Sequence, residues 1–244
     1  MRSRFTQDIT DKQKKEPHHP TDISVIILSA GIGSRIKSYE PRSLIKIGNK
    51  CLLEHQINCI NNCFSSVEII GVFGYLINKV IKKIGNKIRI VENQLYATTN
   101  TSESLRLGFN NTDKNNLLFI HGDLYFNIET IKKLDYSRSF IVVDTKNKIQ
   151  DKEVGVTIQS EKATMLSYGL PIKWAQMAYI TGKEYKILKN IFYKFEENEK
   201  KLLSFELINK IISAGGSFYC YEPKKMNILE IDCIKDINYE NFNC

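Results

Sequence analysis

The sequence is short of several things. No apolar run is long enough to cross a bilayer, and the N-terminus lacks the apolar core of a secretory signal. Both absences point to a soluble protein with no membrane partner. Six cysteines are present, but none forms a Cys-x-x-Cys pair. Cys59 and Cys63 stand four apart, and no second pair completes a zinc site. Reduced thiols in a cytoplasmic protein are the expectation. No repeat and no linker divides the 244 residues, so one domain is expected over 23–244. Residues 1–22 are polar, contain Pro17, His18, His19 and Pro20, and read as a flexible N-terminal tail. The formal charge is +8, yet no Lys/Arg cluster with interleaved aromatics marks a nucleic-acid surface. Dispersed basic charge suits a protein that handles small polyanions instead.

What is present begins at residues 23–29, a first strand that reads as buried because 23–28 is apolar but for Ser24. Ser29-Ala30-Gly31-Ile32-Gly33-Ser34-Arg35 follows, then Pro41-Arg42-Ser43-Leu44. Glycines let backbone N–H groups approach phosphate oxygens, and arginines neutralise their charge. A dinucleotide fingerprint would need a third glycine where Ile36 stands, and a P-loop would need Gly-Lys-Ser/Thr. Neither is met.

Downstream, residues 51–63, 76–84 and 102–109 have helical spacing, and 67–73, 88–91 and 117–120 are short apolar strands. Strand and helix alternate three times, which predicts a mostly parallel sheet covered on both faces. Ligands on such sheets bind beyond the carboxyl ends of the strands. The glycine loop, the polar stretch after residue 91, and His121-Gly122-Asp123 all follow strand ends, so they are expected on one rim. His121 is expected to shape that turn. The second half reads as strands 140–144, 154–159, 163–168, 175–180, 218–221 and 228–231, with helices 127–134, 184–195 and 202–214 and a closing helix from Ile234. Tight connections between 140 and 168 suggest an antiparallel subregion. There, Gly169-Leu170-Pro171-Ile172-Lys173-Trp174 follows a strand. Lys173 is a candidate for holding a phosphate, and Trp174, the single tryptophan, for walling off the acceptor. Tyr168 and Glu153 are further candidates.

The stretch Leu28-Ser-Ala-Gly-Ile-Gly-Ser-Arg35, with Glu40-Pro-Arg-Ser-Leu-Ile-Lys-Ile47 and Lys50-Cys-Leu-Leu-Glu-His55, resembles the opening of the nucleotidyltransferases that activate sugar phosphates and phosphocholine-like compounds. Gly74-Tyr75 matches a frequent pair in that family. Residues 93–105 resemble the segment that lines the base pocket in its choline-phosphate cytidylyltransferase branch. His121-Gly122-Asp123 and Glu230-Ile231-Asp232 resemble its two metal-binding turns, so the likeness runs from residue 24 to about 237. It implies one Rossmann-like α/β domain of glycosyltransferase-A type, in three layers. It also implies transfer of a nucleotidyl group from an NTP to a phosphate, with Mg²⁺ and release of pyrophosphate. By residue, it implies nucleotide contacts from Ser29, Ala30, Gly31, Gly33, Ser34, Arg35, Tyr96, Asn100, Ser104 and Gly122. Asp123 and Asp232 would hold the metal, and Arg35 and Arg42 would meet the phosphates. Arg42 departs from the family's usual lysine, and Lys46 is the less favoured substitute. Asn100 and Ser104 carry short polar side chains that suit a pyrimidine edge, so CTP is the favoured nucleotide. The acceptor would be phosphocholine-like, a phosphoamino acid or a sugar phosphate. Uridylyl, thymidylyl or guanylyl transfer, a non-catalytic nucleotide-binding regulator, and a glycosyltransferase of the same fold are the alternatives. The last would want a second carboxylate beside Asp123.

Overall fold

The computed structural model describes residues 19–32 and 40–231. Gly33, Ser34, Arg35, Asp232, the closing helix and residues 1–18 of the tail lie outside them. Residues 19–22 pack against the body. His19 meets Phe64 and Tyr136 at ring distances of 5.3 Å, and Asp22 accepts from Asn115.

The central strand is β1 (Ile23–Ser29). It is flanked in parallel by β4 (Glu68–Phe73) and β6 (Asn116–His121), and β5 (Arg89–Glu92) extends the parallel set beyond β4. Helices α1 (Leu52–Cys63), α2 (Ile77–Ile84) and α3 (Thr101–Phe109) connect these strands. β1 is β-branched and apolar because both its faces are covered. Ile23, Val25 and Ile27 pack with Leu53, Ile57 and Val80 of α1 and α2, while Ile26 and Leu28 pack with Leu105 and Phe109 of α3. Each such fully buried aliphatic side chain contributes about 1.5–3 kcal/mol.

Beyond β6 the sheet turns antiparallel. β11 (Ile172–Ile180) pairs antiparallel with both β6 and β8 (Phe140–Asp144). β12 (Tyr219–Tyr221) pairs parallel with β8, and β10 (Lys162–Tyr168) and β9 (Val154–Gln159) close the edge as a hairpin. The nine-stranded sheet is therefore mixed, not mostly parallel, and the antiparallel strands belong to it rather than forming a separate subregion. The physical reason is β11. Its buried half, residues 177–180, is an apolar run that would suit a parallel strand equally well. α5 (Gly182–Tyr193) and α6 (Ser204–Ser213) cover this half, on the face that α3 occupies. Two short pairs complete the rim: β2 (Lys46–Ile47) with β3 (Lys50–Cys51), and β7 (Leu124–Phe126) with β13 (Ile228–Glu230). The expected helix at 127–134 shrinks to α4 (Glu129–Lys132). Among the described residues no helix is long and apolar enough to cross a membrane.

Candidate active site

The carboxyl ends of β1, β5 and β6 open on one cavity of about 410 Å³. Ser29, Ala30 and Gly31 come from the first, Asn93 to Ser104 from the second, and His121 and Asp123 from the third. This is the convergence the strand order requires.

The loop after β5 is closed by Asn93, which is 2% exposed. Its backbone N–H donates to Phe73 at 2.7 Å. Its side-chain amide donates to Thr99 Oγ1 at 3.1 Å and Ser104 Oγ at 3.2 Å, and its Oδ1 accepts from the Leu95 N–H at 3.1 Å. Asn100 caps α3, with its Oδ1 accepting from the Thr101 N–H at 2.9 Å. Tyr96 packs over Gly74, where a side chain would collide with its ring. The segment before α6 straps this loop from outside. Asn100 N–H donates to the Lys200 carbonyl at 2.8 Å, and Ser204 N–H to Thr101 Oγ1 at 2.7 Å. Leu203 thereby reaches the cavity.

The turn after β6 is held from several sides. Gly122 N–H donates to the Leu28 carbonyl at 2.8 Å, and an added Cβ there would meet Ser29 Cβ at 2.4 Å. Gly122 is thus a point of close backbone approach between two strand ends, not a cavity residue. From α1, the fully buried Gln56 donates to the carbonyls of His121 (3.1 Å) and Leu124 (2.8 Å). The N–H of Ile231, the residue before Asp232, donates to the Asp123 carbonyl at 2.8 Å.

Arg42 opens a short 3₁₀ turn and donates from Nη1 to Asp123 Oδ2 at 2.9 Å, with both side chains under one-fifth exposed. The other Asp123 oxygen, Oδ1, is buried and has no hydrogen-bond partner among the described residues. A buried anionic oxygen without a donor suits a hard cation such as Mg²⁺. Among the described residues no three His, Cys, Asp or Glu side chains gather. A cation on Asp123 would draw its other ligands from phosphates, water or the chain beyond residue 231. His121 Nε2 lies 2.8 Å from Ser204 Oγ. Burial holds its pKa below the ordinary histidine value, outweighing the opposing influence of Asp123 and Gln176. The ring is therefore neutral near pH 7 and forms cavity wall as well as turn.

Glu230 borders this cavity and also a second one of about 710 Å³. Lys173 and Glu153 line the second cavity and form an ion pair. Trp174 does not face it. Strand alternation turns Trp174 inward, 2% exposed, with Nε1 donating to the Met177 carbonyl at 3.1 Å and its ring against Phe119 and His121. Tyr168, at the C-terminal end of β10, is exposed and packed on Phe205, and lines neither cavity. These two candidates are corrected on geometry. Sequence reasoning missed Gln176, which interrupts β11 at a bulge with φ of 56°. A non-glycine residue in that conformation costs roughly 1–3 kcal/mol. Its Nε2 donates to Glu230 Oε2 at 2.7 Å, tying the bulge to the wall the two cavities share. Glu230 and Gln56 were also missed. A side chain's reach across the fold leaves no local pattern.

This geometry agrees with comparison to known proteins. The chain is 34% identical over 124 residues to the bifunctional protein GlmU of Buchnera aphidicola, a match that spans 48% of this chain and only 25% of that protein. It is 25% identical over 230 residues to the 2-C-methyl-D-erythritol 4-phosphate cytidylyltransferase of Thermosipho africanus, covering 87% and 94% of the two. Among solved structures, the CTP:phosphocholine cytidylyltransferase of Streptococcus pneumoniae superposes with a TM-score of 0.73 at 20% identity, over 90% of this chain and 98% of that one, a likeness of fold. Residues 25–147 match the MobA-like NTP transferase domain, and with that match, on a site of this shape, the chain belongs to that family and is a nucleotidyltransferase.

Proposed function

We propose that the protein is a Mg²⁺-dependent cytidylyltransferase that transfers CMP from CTP to a small phosphorylated acceptor. The observation that carries this is the Arg42–Asp123 pair at 2.9 Å, set where the glycine loop and the β6 turn meet. It puts a phosphate-binding cation beside a carboxylate that has one oxygen to spare. In the reaction, an anionic oxygen of the acceptor phosphate attacks the α-phosphorus of CTP. The bond to the bridging oxygen breaks, and pyrophosphate leaves with the electron pair. The attacking oxygen is already anionic, so no general base is required. Arg42 and Arg35 would stabilise the charge that develops on the leaving group. Asp123 and Asp232 would hold Mg²⁺, which when bound neutralises phosphate charge. CTP is favoured by the short polar side chains of Asn100 and Ser104 at the cavity and by the cytidylyltransferase relative that spans most of the chain.

The test is pyrophosphate release with each of the four NTPs and Mg²⁺ against a panel of phosphate monoesters. Release with CTP, lost on Asp123→Ala, is the expected result. CTP binding without release from any pair would instead mark a nucleotide-binding regulator.

A further inference from the structure

The second cavity allows the acceptor to be narrowed. Lys173 follows Ile172 on β11, whose Met177 pairs with Ile120 of β6, so the strand carries Lys173 past the carboxyl end of β6. Glu230 is common to both cavities. A molecule in the second cavity is therefore next to the nucleotide.

The wall is polar and mixed. Asn147 and Gln150 bring amides, Asp151, Glu153 and Glu230 bring carboxylates, and three lysines, Lys173 among them, balance the charge. Its only apolar members are the aliphatic Ile228 and Leu229, and no aromatic side chain lines it among the described residues. A quaternary ammonium offers no hydrogen bond and is recognised by aromatic faces. The two aromatic residues nearest in sequence are committed elsewhere, Trp174 to the core and Tyr168 to Phe205. Two of the three carboxylates are engaged as well. Glu153 pairs with Lys173 and accepts the Gln150 N–H at 2.8 Å, and Glu230 accepts from Gln176. Hydroxyl groups suit such a wall, since each donates to a carboxylate or amide oxygen and accepts from an ammonium or amide N–H.

We infer that this cavity is the acceptor site and that it takes a polyhydroxylated phosphate monoester, an alditol or sugar phosphate, rather than a phosphorylated quaternary ammonium or amino acid. The inference rests on the nucleotidyl-transfer reading above. Lys173 supplies charge for the phosphate, and Gln176 fixes Glu230 between the two substrates.

The experiment uses the full chain with Mg²⁺ and each NTP in turn. It measures kcat/KM for glycerol 3-phosphate, ribitol 5-phosphate and glucose 1-phosphate beside phosphocholine and phosphoserine. A hydroxylated phosphate preferred at least about tenfold supports the inference. Preference for phosphocholine or phosphoserine overturns it and leaves nucleotidyl transfer standing. No turnover with any pair overturns both. In the preferred pair, Lys173→Met and Glu153→Gln should each raise the acceptor KM about tenfold with the NTP KM unmoved. Equal changes in both constants would remove the cavity from the acceptor's path.

Discussion

Arg42 and Asp123, 81 positions apart, meet at 2.9 Å beside the cavity at the carboxyl ends of β1 and β6. Two roles meet in that contact. The guanidinium neutralises the carboxylate; on the proposed reading, nucleotide phosphates would compete for the same cation. Arg42→Ala removes charge stabilisation from the leaving group and should lower kcat/KM for the NTP by about 100-fold or more. Arg42→Lys keeps a cation but loses the planar fork, and an intermediate loss of about tenfold is expected. Steady-state pyrophosphate release measures both, and an alanine variant with wild-type kinetics would take Arg42 out of the phosphate site.

Gly122 is where the β1 and β6 ends approach most closely. The methyl group of Gly122→Ala would meet Ser29 Cβ at 2.4 Å and the Leu28 carbonyl oxygen at 3.0 Å. Forced repacking of that kind costs about 1–3 kcal/mol. The urea midpoint should fall accordingly. Adding Ser29→Gly should restore part of it, because the two positions share one contact. Simple additivity of the two losses would show that the strand ends are not in contact here.

His121 gives stability a pH dependence. Its folded pKa lies below the ordinary 6.5, with burial as the leading cause. Between the folded and unfolded values the unfolded chain binds more protons. Stability therefore rises with pH in that window and falls as the pH drops below about 6.5. His121→Phe cannot titrate, so the wild-type advantage over it should shrink between pH 7.5 and 5.5 in urea unfolding. A constant difference across that range would mean that the ring is not buried as a neutral group.

Much of this architecture was legible because it depends on local pattern. The runs at 23–29, 140–144 and 154–159 fall on β1, β8 and β9 without adjustment. The convergence of three loops on one rim followed from alternating strand and helix. Strand direction did not follow. A buried apolar segment such as 177–180 reads the same whichever way it points, so β11 gave no sign that it inserts between β6 and β8. Lys173 and Trp174 were legible as a pair, but two-residue alternation sends them to opposite faces, one to a cavity and one to the core. Gln176 and Gln56 act through single long-range hydrogen bonds, which composition and spacing do not encode.

Asn93 carries the last prediction. Its side chain holds Thr99, Ser104 and the Leu95 N–H together, and it is almost fully buried. Asn93→Ala deletes all three bonds and leaves the hydroxyl of the buried Ser104 without the amide that donates to it. A buried unsatisfied group costs about 1–3 kcal/mol. Thr99, Asn100 and Ser104 border the nucleotide cavity but not the second one. The loosened loop should therefore raise the NTP KM about tenfold with the acceptor KM unmoved, the reverse of the pattern expected for Lys173→Met. Asn93→Asp keeps the acceptor for Leu95 but loses both donated bonds, so its NTP KM should lie between those of the alanine variant and the wild type. If the two variants raised the acceptor KM instead, the loop after β5 would belong to the other substrate.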